Sequence, residues 1–334
     1  MLTVQTTTLN RECLLDRPDV LAVVDFDANP GERPTDARHI VTPLAADTPY
    51  REVWTSPSGP VTTGTSGAIH YARTDSETIG SLILEDQGED IETLAHRAYA
   101  ELLAWLGQQN HQRLWRVWNF FSDINDGEGD DERYRRFSLG RHRALRESAL
   151  PEQALPPATA IGCEAAQVFL MFIAGAAPCE PVENPRQISA YRYPRQYGPA
   201  SPSFARAAKV NNAAGGALIV SGTASIVGHE TRHEGDWRRQ LDETHRNLAS
   251  LTQRADVAAA PAALRAYTRP GVPADELIER IQGHWGRETP VIPLRGEICR
   301  RDLLLEIEGL WPLAAPGATG EPESQPADTT AIRT

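Results

Sequence analysis

Strand-like runs alternate with long amphipathic helices, and the layout of the first half of the chain recurs in the second. Those two features predict a protein of the α/β or α+β class. A third feature is the proline-rich stretch S-A-L-P-E-Q-A-L-P-P-A-T-A at residues 148–160. It lies near the midpoint of 334 residues and reads as the connection between two units of ordinary domain size.

In the first half, polar, glycine-rich strand sequence (S-G-P-V-T-T-G-T-S-G-A-I-H-Y-A) comes before a helix. That helix places Ile91, Leu94, Ala95, Ala98, Leu102 and Trp105 on one face at spacings of three and four. The strand R-L-W-R-V-W-N-F-F follows. In the second half, G-A-L-I-V-S-G-T-A-S-I-V-G precedes a helix carrying Trp237, Leu241, Thr244, Leu248 and Leu251, and A-L-R-A-Y-T-R is the strand after it. Pro273 and Asp275 open a further helix that buries Leu277, Ile278, Ile281 and Trp285. The last strands are P-V-I-P-L-R and L-L-L-E-I-E. Beyond Trp311 proline is frequent and aromatic residues are absent, which predicts a disordered tail.

Composition narrows the function. With 33 Lys+Arg against 45 Asp+Glu the net charge is −12, which argues against nucleic acid or an anionic membrane as partner. Lys209 is the only lysine and has no glycine-rich run before it, which argues against a Walker A loop and Schiff-base chemistry. Cys13, Cys163, Cys179 and Cys299 form no C-x-x-C pair. The first ten residues lack a basic and an apolar region, so no secretory signal is expected. The most apolar stretch, residues 165–177, is too short to span a bilayer. A cytoplasmic protein with free thiols is the expectation.

Several motifs bear on chemistry. His229, Glu230 and His233 stand in H-E-T-R-H, a literal match to the zincin pattern, and a zinc hydrolase is one reading. However, the motif directly follows a strand and its flanks are polar, so a strand-to-helix turn is expected, with no metal. The acidic run at residues 123–132 places Glu128 or Asp131 where an EF-hand needs glycine, so it reads as a solvated loop. The arginine-rich R-Y-R-R-F-S-L-G-R at 133–141 either binds carboxylates with its guanidinium forks or neutralises the adjacent acids. Residues 184–207 hold three tyrosines and four arginines among prolines with no helical or strand period. So long an irregular stretch suits a binding segment for an anionic, partly unsaturated small molecule. In the last strand, Leu303, Leu305 and Ile307 share one face and Glu306 and Glu308 the other. A carboxyl in so apolar a strand has a raised pKa, as a general acid needs, unless it lies on a wet edge.

Taken together, R-Y-x-x-F-x-x-G-R, S-A-Y-x-Y-P-x-x-Y-G-P-x-S-P-S-F-A-R-A, S-G-T-A-S-I-V-G-H-E-T-R-H-E-G-D-W and C-R-R-D-L-L-L-E-I-E-G resemble the chorismatases, from about Trp54 to Trp311. The resemblance implies an α+β fold of two fused RidA (YjgF)-like domains, helices packed on mixed sheets. They would occupy residues 1–155 and 156–312, the second carrying the site motifs, with the tail at 313–334. It implies cleavage of chorismate to pyruvate and a ring acid by a monomer, without metal or organic cofactor. The enolpyruvyl methylene would be protonated by Glu306. Arg133, Tyr134, Arg141, Tyr191 and Arg206 match positions suited to anchoring the substrate, and Thr223, Ala224 and Cys299 would line the pocket. A cysteine at position 299 implies 3-hydroxybenzoate as product, with 4-hydroxybenzoate beside it. Ala224 points to the alternative, hydrolysis to 3,4-dihydroxycyclohexa-1,5-diene carboxylate. A RidA-like ligand binder without catalysis is the remaining reading.

Overall fold

Each amphipathic run folds against a sheet. The computed structural model describes residues 2–109, 113–212 and 215–313. The expected tail therefore lies outside the described residues, except for Leu313, which ends the last strand. The helix Ile91–Gly107 buries the six residues of its predicted stripe, and Trp237–Arg254 buries all five of its own. Asp236 caps the second of these, accepting hydrogen bonds from the amides of Arg238 and Arg239. In Ala274–Trp285, Leu277 and Ile281 are buried, while Ile278 and Trp285 pack half-buried on the same core.

Other elements differ from the sequence reading. The first glycine-rich run is a hairpin, Thr62–Ser66 with Ile69–Arg73, turning at Gly67 with φ of +56°. The arginine-rich segment is a helix, Arg133–Glu147, which crosses Ile91–Gly107 closely. A Cβ on its Gly140 would lie 2.1 Å from the carbonyl oxygen of Glu92. The apolar stretch near residue 170 is the strand Gln167–Gly175, buried at every position. No helix among the described residues is long and apolar enough to cross a membrane.

Two seven-stranded sheets repeat one topology. The first runs Thr62–Ser66, Ile69–Arg73, Glu77–Glu85, Gln167–Gly175, Arg113–Ser122, Ala158–Cys163, Glu297–Ile298. The second runs Cys179–Val182, Ala207–Asn212, Gly215–Thr223, Leu305–Leu313, Ala263–Thr268, Val291–Arg295, Ala45–Ala46. In both, a long helix follows the third strand, and the fifth and sixth strands are parallel. Each ends on a two-residue strand lent by a distant part of the chain. Apart from that borrowed strand, the first sheet draws on the chain as far as Gly175, past the proline-rich stretch where the sequence places the junction. A four-stranded sheet, Thr3–Thr7, Arg51–Thr55, Val20–Phe26, His39–Thr42, repeats the inner four positions, with the short helix Arg11–Leu15 in place of the long one. It stands beside the two larger units as a third, abbreviated copy.

Register confirms the correspondence. The parallel strands begin pairing at Val23, Val117 and Leu264. One residue further on, Val24, Trp118 and Arg265 pair with Glu52, Met171 and Glu308. The helices pack outside, on the first sheet through residues such as Phe137 and Phe172, and on the second through Leu248 and Trp311. Trp54, Trp118, Met171 and Leu310 share the core enclosed by the sheets.

Candidate active site

Alternation along Leu305–Leu313 sets the direction of its two carboxyls. Leu305, Ile307 and Trp311 pack under the helices, so Glu306 and Glu308 project from the other face, toward the first sheet. That face is not wet: Glu306 is 5% exposed and Glu308 3%.

Their surroundings differ. Glu308 accepts hydrogen bonds from Arg116, Trp118 and the Thr159 hydroxyl, the last at 2.6 Å, and lies 3.7 Å from Arg265. Arg265 in turn donates to both oxygens of Glu52, at 2.7 and 2.6 Å. Two carboxylates and two guanidiniums thus neutralise one another, as buried charges must. Glu306 accepts no hydrogen bond among the described residues. Burial, reinforced by the neighbouring Glu308 carboxylate, pushes its carboxyl up to about 8. Thr159 Oγ1 also accepts from the amide of Gly222 at 2.8 Å. A Cβ on Gly222 would lie 1.7 Å from Glu306 Oε1, so only glycine leaves the acid its place.

Glu306 opens into a cavity of about 770 Å³, counting its mouth, between the two larger units. One wall is the start of Ala158–Cys163 and the helix Arg133–Glu147, which presents Tyr134 and Arg141 two turns apart on one face. The irregular segment 184–207 supplies Tyr193, Tyr197 and Arg206. Arg141 is 1% exposed, yet its Nε and Nη2 have no hydrogen-bond partner among the described residues, nor has Nε of the buried Arg206. Arg206 donates its Nη2 to Tyr193 Oη at 2.7 Å. Arg300 lies over the Tyr197 ring at 4.2 Å. Cationic donors left unpaired in a buried cavity suit an anion with more than one carboxylate. Burial pushes the Cys299 thiol up to about 12, so it stands there as a neutral group, not a nucleophile.

Of the residues singled out in the sequence, Tyr134, Arg141, Arg206, Ala224, Cys299 and Glu306 line this cavity. Three do not. Arg133 turns away to Asp86, at 2.8 Å, and to the carbonyl of Ser122. Tyr191 faces a separate groove with His142 and Leu150. Thr223 is buried beside the cavity, its hydroxyl donating to the carbonyl of Ser221 at 3.0 Å. The arginine cluster divides: Arg133 and Arg136, like Arg143 beyond it, pair with acids away from the cavity, Arg135 lines the cavity paired to Glu132, and Arg141 points inward.

The sequence reading missed Arg300, Tyr193, Tyr197 and Thr159, although the first three stand inside motifs it quoted. H-E-T-R-H is not helical. Ile226–Val227 and Glu230–Thr231 form a small hairpin, and His233 has φ of +59°. The two histidines face different partners, Tyr197 Oη at 3.1 Å and Glu243 at 3.4 Å. The carbonyl of His229 accepts from Arg300 at 2.9 Å, so the motif steadies two pocket side chains. Among the described residues no group of three or more His, Cys, Asp or Glu could hold a metal ion. The acidic run likewise forms a turn, with Asp130 paired to Arg195.

Comparison with known proteins places this site in context. Residues 52–174 match the family model described as chorismatase FkbO/Hyg5-like, N-terminal. A chorismatase from Streptomyces hygroscopicus is 32% identical over 79% of this chain and 80% of its own. A 3-hydroxybenzoate synthase from the same organism is 31% identical over 81% and 84%. A solved chorismatase structure superposes with a TM-score of 0.84 at 28% identity, covering 93% of this chain and 98% of that one.

Proposed function

The chain belongs to the chorismatase family, and from that premise we propose that it cleaves the enolpyruvyl ether of chorismate, releasing pyruvate and 3-hydroxybenzoate. The observation that carries the reading is Glu306, a buried carboxyl with its pKa raised to about 8, facing a cavity lined by four arginines, of which only Arg135 is paired with an acid among the described residues. The methylene of an enol ether is a weak carbon base. A carboxyl that is still protonated at neutral pH can donate to it, giving an oxocarbenium ion that weakens the ether bond. Arg141, Arg206 and Arg300 meet the two substrate carboxylates and hold the methylene against Glu306. The ether C–O bond then breaks, and rearrangement through the ring hydroxyl aromatises the ring. The products together have the atoms of chorismate, and the proton lent by Glu306 is returned as the ring loses one.

Ile226 and the neutral Cys299 give the cavity an apolar side, which favours the internal route over attack by water. The hydrolytic outcome draws on Ala224, whose small side chain leaves room for a water beside the ether. The reaction runs within one chain, since both walls of the cavity come from it, and needs no cofactor. Purified protein, chorismate and chromatography of the products test the proposal. Pyruvate with 3-hydroxybenzoate supports it. Pyruvate with the dihydrodiol acid moves the chain to the hydrolytic group. Chorismate bound without pyruvate release makes it a ligand binder.

A further inference from the structure

The three-copy architecture creates a second cleft built from the same parts as the first. The active cavity lies between the ends of Gly215–Thr223 and Leu305–Leu313 in one unit, and Ala158–Cys163 with the helix Arg133–Glu147 in the next. One unit along, another cavity lies between Glu77–Glu85 and Gln167–Gly175 on one side, and His39–Thr42 with the connection 27–38 on the other. Each element is the topological counterpart of its partner in the active cavity, and the connection 27–38 takes the place of the helix that carries Arg141.

We propose that this cleft is a second, non-catalytic site for a small ring monocarboxylate. The connection supplies Arg33, half-buried and paired with no carboxylate among the described residues. Its Nη atoms donate to the carbonyls of Ala68 and Ser81, both at 2.7 Å, and to the Ser81 hydroxyl. Gln167 is 9% exposed, lines the cleft, and its Nε2 has no hydrogen-bond partner among the described residues. One uncompensated guanidinium and one unused amide donor match one carboxylate. Phe169 and Ile83 give the ring an apolar wall.

Register also says why no chemistry follows. Tyr267, three residues beyond Leu264, pairs with Glu306; Phe120, three beyond Val117, pairs with Phe169. Phe169 therefore holds the place of the acid. The exposed Glu32 and Glu85 at the rim repel a second negative charge, so the cleft rejects dianionic chorismate and accepts a monoanion. Choosing 3-hydroxybenzoate as that monoanion rests on the proposed reaction; the site itself does not.

Equilibrium dialysis with radiolabelled 3-hydroxybenzoate at saturation tests the inference, with pyruvate release followed separately. Wild-type protein should hold two molecules per chain. Gln167→Glu, which places a negative charge in the cleft that Arg33 also lines, should weaken the second site by at least about tenfold, the effect of a like charge in a half-buried site, and leave pyruvate release unchanged. Arg141→Ala should lose the other molecule and keep this one. A single molecule per chain, lost in Arg141→Ala and untouched by Gln167→Glu in a protein that melts like wild type, would overturn the inference. Gln167-sensitive binding in a protein that releases no pyruvate would uphold the site and sink only the proposed reaction.

Discussion

Replacing Glu306 by Gln keeps the shape of the side chain and removes its proton. With its pKa at about 8, about nine tenths of the carboxyl is protonated at pH 7; at the ordinary 4.5 only about one molecule in 300 would be. The site therefore multiplies the supply of acid about 300-fold at neutral pH by that arithmetic. A positioned general acid is worth about 10²–10⁴-fold, so Glu306→Gln should lower pyruvate release at least about 100-fold with chorismate still bound. A coupled assay for pyruvate across pH 5–10 reads both effects. Wild-type kcat/KM should be level at low pH and fall about tenfold per unit above about pH 8, since the donor must carry its proton. The residual activity of the variant should lack that limb. Stability follows with its own sign. The native state keeps a proton that the unfolded chain releases, so this group's contribution is complete below about 4.5 and is lost as pH rises to about 8. Glu306→Gln should remove that part of the decline. Wild-type turnover in the variant, or a wild-type profile with no limb near pH 8, would refute the assignment of the acid.

Two further substitutions separate the charges around it. Glu308→Gln breaks the buried cluster with Arg116 and Arg265 and should cost about 3–5 kcal/mol in denaturant unfolding, the scale for removing one partner of a buried pair. It also removes the like charge behind Glu306, so in the protein that folds the basic limb should move to lower pH; unchanged stability would detach the cluster from the fold. Arg141→Ala and Arg206→Ala should each raise the Kd for chorismate about 30- to 1,000-fold, the loss of a charge-assisted bond in a dry pocket, with little change in melting. Calorimetric titration checks this, and wild-type affinity in either variant would take that arginine out of the site.

Periodicity made the outer layers of the fold legible and left its centre hidden. Leu241, Leu248 and Leu251 recur at helical spacing because one side of that helix meets a sheet and the other meets water. Strand alternation likewise separated Glu306 from Leu305, but it could not tell a wet face from one covered by another sheet. That depends on contacts such as Glu308 with Arg116, 192 residues away. The helix Arg133–Glu147 was obscured because its exposed arginines pair with acids on neighbouring elements, so the segment has few apolar residues to mark a period. The third copy was obscured because its helix is five residues long and its second crossover has no regular structure. Tyr134, Arg141 and Cys299, singled out through motifs, line the cavity. Arg133 and Tyr191 belong to the same motifs but face elsewhere, because a motif fixes spacing along the chain while helix rotation and loop path decide direction.

The distribution of charge gives the acid a dependence on substrate. Around Glu308 the charges of Glu52, Arg116 and Arg265 sum to zero with its own, but at Glu306 the Glu308 carboxylate raises the pKa more than Arg116 lowers it. The cavity itself carries Arg141, Arg206 and Arg300 against a neutral Glu306, with Arg135 and Glu132 paired to each other. Of these, Arg206 and Arg300 favour an ionised Glu306, and burial together with Glu308 outweighs them. In the binding mode proposed above, chorismate would bring two carboxylates to the same guanidiniums and cancel that opposing field, while it displaces water from the cavity. Both changes would push the Glu306 pKa further up, so that binding itself would keep the proton on the donor. The basic limb of kcat, which reports the enzyme with substrate bound, should therefore lie at higher pH than the limb of kcat/KM, which reports the free enzyme. Coincident limbs would show that the arginines do not act on Glu306 and that its pKa is set by burial and Glu308 alone.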